Sequence, residues 1–157
     1  MKRIFQLTFT VLAVAIILQA CSTTKSVVGT NNGPLRGTWT LTNVSYEGLV
    51  PGAVQNVFDQ ASPASFVNST WELPNNGNGK YTLSNGTSQS IFWSYNNADK
   101  ANPIFQFKKI YEGEKANKIA EGYQLNVAQV DDTSMTLKSP VANGSKTAYI
   151  VYTFRKQ

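Results

Sequence analysis

Apolar and polar residues alternate along most of the chain from Gly37 onward. In residues 37–46, Trp39 and Leu41 alternate with Thr38, Thr40 and Thr42. In residues 68–73, Trp71 and Leu73 share one face, with Thr70 and Glu72 on the other. The same period aligns Tyr81 with Leu83 in 80–84, and Ile91 with Trp93 and Tyr95 in 90–95. It also aligns Tyr123, Leu125 and Val127 in 120–130, and Met135 with Leu137 in 134–138. Residues 104–111 and 146–156 are two further runs of aromatic and β-branched side chains. A period of two is that of a strand with one face buried. Asn and Gly separate the runs, at 75–79, at Asn85-Gly86 and at Asn143-Gly144. These residues enter positive-φ turns at little cost. Strands joined by such short turns are antiparallel neighbours. The predicted fold is therefore all-β, an up-and-down meander of about eight strands closed into a barrel, because closure removes both exposed edges.

One connection is long. Between the first two strands, residues 48–67 contain Val54, Val57 and Phe58 at i, i+3 and i+4, bracketed by Pro51 and Pro63. That spacing predicts a short amphipathic helix over 53–60. A long ordered loop in a compact domain is either a lid over a binding mouth or a plug that only packs. Both readings stay open on the residues alone.

The N-terminus follows other rules. Lys2 and Arg3 precede an apolar stretch, 4–17, broken only by Gln6, Thr8 and Thr10. A membrane-spanning helix needs about 20 apolar residues, so this stretch has the length and flanks of a secretory signal. It runs into Leu18-Gln19-Ala20-Cys21, which resembles the bacterial lipobox. The resemblance implies cleavage after Ala20 and acylation of Cys21. Cys21 is the only cysteine, and a lone free thiol is otherwise unusual in a secreted chain. Two or more acyl chains hold a protein at a membrane far better than one. The expected organisation is a cleaved signal (1–20), a lipidated Cys21 with a Ser/Thr/Asn/Gly-rich tether (21–34), and one barrel domain (35–157). Residues Ser22-Thr23-Thr24-Lys25 lack the Asp and the acidic cluster that mark other destinations in bacterial lipoproteins. By resemblance, this implies a lipid-anchored protein on the periplasmic face of the outer membrane.

Composition narrows the chemistry. Without Lys2 and Arg3, the fourteen basic residues become twelve against nine acidic ones, a net charge of +3. The basic residues are scattered, so no nucleic-acid partner is expected. The chain has no histidine, which removes Ser-His-Asp and Cys-His catalysis and the usual zinc sites. No Gly-rich phosphate loop joins a strand to a helix, and no two carboxylates are spaced to face one cleft. Asp131-Asp132 reads as a turn. No cofactor, no metal and no enzymatic activity are expected.

Two further stretches carry a family likeness. Leu35-Arg36-Gly37-Thr38-Trp39 opens the first strand, and Tyr152-Thr153-Phe154-Arg155 ends the last. Gly-x-Trp followed by eight strands and a terminal basic residue resembles the lipocalin-like lipoproteins common in the Bacteroidetes. The resemblance implies that Gly37, Trp39 and Arg155 form a structural signature, with Arg155 packed over Trp39, a contact of about 0.5–2 kcal/mol. The Thr-Asp-Tyr loop of well-characterised members is absent from this chain. Aromatics on the predicted strands are the candidate lining of a ligand pocket: Trp71, Tyr81, Trp93, Phe105, Phe107 and Tyr123, with Phe58 from the long loop. Two functional readings follow. One is a membrane-anchored, non-catalytic carrier of a small hydrophobic ligand in the cell envelope. The other is an envelope interaction protein with a filled barrel and a protein partner that the sequence does not identify.

The lipobox reading predicts that Cys21→Ser abolishes incorporation of a clickable palmitate analogue and releases the chain from the membrane fraction. Unchanged labelling and sedimentation would rule out acylation at Cys21.

Overall fold

The computed structural model describes residues 33–157; the expected signal, Cys21 and most of the expected tether lie outside the described residues. Eight strands form one closed antiparallel barrel in simple chain order. They are β1 (Gly37–Glu47), β2 (Thr70–Leu73), β3 (Asn78–Thr82), β4 (Ser88–Asn96), β5 (Ile104–Lys109), β6 (Tyr123–Val130), β7 (Ser134–Asn143) and β8 (Lys146–Lys156). The meander predicted from alternation is the observed fold. Each strand buries one face: in β5 Phe105, Phe107 and Lys109 point in, and in β8 Ile150, Tyr152 and Phe154 do.

β1 and β8 close the barrel, from Trp39 opposite Lys156 to Glu47 opposite Tyr149. The register shifts once, between Leu41 and Asn43, and a second shift falls between Val127 and Gln129. Such bulges bend and twist a strand locally, which helps a sheet curl shut. The turns use the expected chemistry. Gly77 has φ 81, and a Cβ there would stand 2.8 Å from the Phe92 ring and 2.9 Å from the Trp93 carbonyl. Both the conformation and the space therefore require glycine.

Three expectations change. First, residues 53–60 do not form a helix. Val57 bridges Ala61 instead, with the Val57 N–H donating to Ala61 O at 2.8 Å. Phe58 and Asp59 at the tip take left-handed backbone angles, φ 55 and 48. A helix of two turns is expensive to nucleate, and this tight hairpin buries Val57 and Phe58 equally well. The 3₁₀ turn in this loop lies later, at Pro63–Phe66. Second, β7 runs on to Asn143, beyond the expected end at Lys138, because it pairs with β8 down to Asn143 opposite Lys146. Residues 139–143 are half-buried or exposed, so apolar alternation does not mark them.

Third, the cation over Trp39 is Lys156, with Nζ 5.1 Å from the ring centroid, and Arg155 is exposed. Register explains the difference. Trp39 lies opposite Lys156, whereas Arg155 lies opposite Thr40, and cross-strand partners share a face. At this end Trp39 is fully buried and donates its indole N–H to Leu35 O at 2.8 Å. Gly37 lies beside them at φ 138, where a Cβ would meet Lys156 Cε at 2.9 Å.

At the β6–β7 turn, Asp131 Oδ1 accepts from the N–H groups of Thr133 (2.8 Å) and Ser134 (2.7 Å), and Oδ2 accepts from the Ser134 hydroxyl. The Thr133 N–H foremost, then the Ser134 hydroxyl and N–H, hold this carboxyl well below the usual carboxylate range. Because its acidity is greater folded than unfolded, its stabilisation is complete above the ordinary carboxylate pKa of about 4 and fades as pH falls below it. Asp131→Ala is therefore expected to lower the urea midpoint at pH 7 and to lose most of that difference near pH 2. Urea titrations of both proteins at the two pH values check this.

Candidate functional site

The antiparallel order places the end of β5, the start of β6 and the long β1–β2 loop at one rim of the barrel. Trp39 and Leu35 close the opposite end, where β1 starts and β8 finishes. The rim is the candidate binding site, because the loop inserts there and because most of the predicted lining residues meet beneath it.

Phe58 is the centre of that meeting. Its ring lies 5.0 Å from Phe107, 5.3 Å from Tyr123 and 6.3 Å from Trp71, in edge-on geometry. Trp71 stacks on Tyr81 at 4.7 Å and reaches Phe105 at 6.3 Å. Phe105 contacts both Phe107 (5.7 Å) and Trp93 (6.0 Å). All seven predicted residues thus belong to one connected aromatic cluster, with Trp93 joined to it through Phe105. Edge-on and offset pairs are favourable beyond the area they bury, by about 0.5–1.5 kcal/mol each. Except for the half-buried Tyr123, the seven are buried. Side chains therefore occupy the space a ligand would take.

Sequence reasoning missed several members. Phe66 lies 5.3 Å from Phe58, and Tyr152 lies 5.6 Å from it. The Tyr152 hydroxyl is buried and has no hydrogen-bond partner among the described residues. Lys109 is buried too, at 9 % exposure. Alternation in β5 puts it on the face of Phe105 and Phe107, a signal present in the sequence. The loop hairpin is what meets it. Lys109 Nζ donates to Phe58 O at 2.8 Å and to Asp59 O at 3.2 Å. The Tyr123 hydroxyl donates to Asp59 Oδ2 at 2.6 Å, and the Tyr81 hydroxyl donates to Gln60 Oε1. Burial raises the pKa of Tyr81, Tyr123 and Tyr152, and the Asp59 carboxylate adds to the effect at Tyr123. All three hydroxyls keep their protons at neutral pH, and those of Tyr81 and Tyr123 act as donors.

Two surface hollows lie elsewhere. One of about 390 Å³ is lined by Glu72, Lys80 and Ser90 on the outside of β2–β4. The other, of about 530 Å³, lies beside Asp132, Arg155 and Gln157. Neither touches the aromatic cluster.

The rim geometry predicts that Phe58→Ala costs about 3–5 kcal/mol if the ring is an integral core member. A loss below about 1 kcal/mol, read from urea midpoints, would mark it as loosely seated. Compared with models of known protein families and with curated proteins, the sequence matches none.

Proposed function

We propose that the chain is a lipid-anchored envelope protein whose lipocalin-like barrel binds a small hydrophobic ligand, without catalysis, at the rim that Phe58 fills. The single observation that carries this reading is the backbone at Phe58. A bulky aromatic residue in the left-handed region is a conformational outlier, and Asp59 beside it is in the same region. Such residues cost about 1–3 kcal/mol each and cluster at ligand clamps and switches. A ligand that replaces the ring keeps the aromatic bed covered and releases that strain. The anchor rests on the Leu18-Gln19-Ala20-Cys21 motif, and the envelope location follows from it.

A second reading, a filled barrel that contacts another protein, is favoured by the interior itself. Trp93, Tyr81, Phe105 and Phe107 are fully buried against one another. Titration of the full chain in nanodiscs with neutral 1-aminoanthracene, against empty nanodiscs, separates the two. The carrier reading expects Phe58→Ala to bind the fluorophore at least ten times more tightly than the wild type. If neither protein binds above the nanodisc background, the carrier reading fails and the filled barrel stands.

A further inference from the structure

The rim shows a strict division of hydrogen-bonding roles. Everything that the hairpin tip presents to the barrel is an acceptor: the carbonyls of Phe58 and Asp59, the Asp59 carboxylate and the Gln60 side-chain oxygen. Everything the barrel presents in return is a donor: the Lys109 ammonium and the hydroxyls of Tyr123 and Tyr81. Below them lies an apolar ring, Phe58, with the buried hydroxyl of Tyr152, unpartnered among the described residues, nearby. The tip has the form of an apolar body carrying an anionic head that accepts each of these bonds.

We infer that the Phe58–Gln60 tip stands in for the ligand, and that the ligand is a small carboxylate amphiphile. Its apolar body takes the place of the Phe58 ring, and its carboxylate lies between Lys109, Tyr123 and Tyr81. The inference rests on the carrier reading above and adds to it the class of ligand. The charge argument is direct. When the tip leaves, Lys109 loses both of its carbonyl partners, and no ion pair to it exists among the described residues. A buried ammonium left without acceptors is costly, so a neutral ligand that expels the tip bears that cost and a carboxylate does not. One ammonium and two hydroxyls match a single negative charge, as the tip itself supplies through Asp59; a phosphate dianion would exceed it. Hydrogen bonds to charged groups are stronger than neutral ones by an amount that corresponds to roughly a 5-fold to 13-fold preference per bond, so two such bonds place the acid at least tenfold above its alcohol.

The test compares 4-phenylbutyrate with its neutral counterpart 4-phenylbutan-1-ol, on the full chain in nanodiscs, with empty nanodiscs as reference and intrinsic tryptophan fluorescence as readout. Phe58→Ala is expected to bind the acid at least ten times more tightly than the alcohol. Adding Lys109→Met should bring the two within about threefold, and Lys109→Arg in its place should restore the preference. Equal binding of acid and alcohol by Phe58→Ala overturns the carboxylate inference and leaves the carrier reading intact. Binding of neither compound, with near-ultraviolet circular dichroism showing a folded chain, overturns both. Phe58→Leu replaces Phe58→Ala if the latter does not fold. If no variant folds, hydrogen exchange of the wild type decides. Saturating acid, but not alcohol, is expected to speed exchange of the Val57 and Gln60 amides, and unchanged exchange overturns the inference.

Discussion

Pairing of β1 with β8 turns a linear meander into a closed wall, and the rest of the molecule depends on that ladder. Without it, β1 and β8 would each present a row of unpaired backbone groups. With it, every strand has two neighbours, and the side chains of alternate positions are forced into a narrow interior. An eight-stranded barrel has room for its own side chains or for one small ligand. The chain fills that room with rings. Large aromatic residues from β2, β3, β4, β5 and β8 meet there, and the loop adds Phe58 and Phe66.

Closure also decides what happens at the two ends. At one end Trp39 bonds to Leu35, four residues away, and Lys156 covers its ring from across the β1–β8 seam. At the other, the seal comes from a loop whose tip is more than fifty residues away in sequence from the lysine that holds it. The first seal uses an indole N–H and a cation over a ring. The second uses left-handed backbone at an aromatic residue and a buried ammonium that donates to two backbone carbonyls. Both features of the second are costly taken singly, and their coincidence at one rim is what singles that rim out.

The chain has no histidine, and most of the connections between its strands are short turns. Among the described residues, unusual chemistry gathers at the loop-bearing rim, where the buried Tyr81, Tyr152 and Lys109 lie beside the half-buried Tyr123. The Lys109 ammonium also lies 5.7 Å from the Tyr111 ring centroid, which places a second aromatic face against the same charge.

Alternation along the chain was enough to locate all eight strands, their antiparallel order and most of the inward-facing aromatics, because a period of two is a local property that each strand carries by itself. The Asn-Gly and Asp turns were legible for the same reason. Register was not. Arg155 and Lys156 are adjacent basic residues, and a shift of one position exchanges the inner face for the outer, so only the pairing of Trp39 with Lys156 decides which cation covers the ring. The 53–60 segment shows a related limit. Val54, Val57 and Phe58 fit a helix and a hairpin alike, and tertiary burial of Phe58 selects the hairpin. Lys109 lay on the inward face of β5 in plain view, yet its role depends on Phe58 and Asp59, brought to it across the barrel. The sequence by itself determined which residues face inward, a matter of local steric geometry. Only the tertiary structure decided which of them meet, because those contacts join segments far apart in the chain and exist once the barrel has closed.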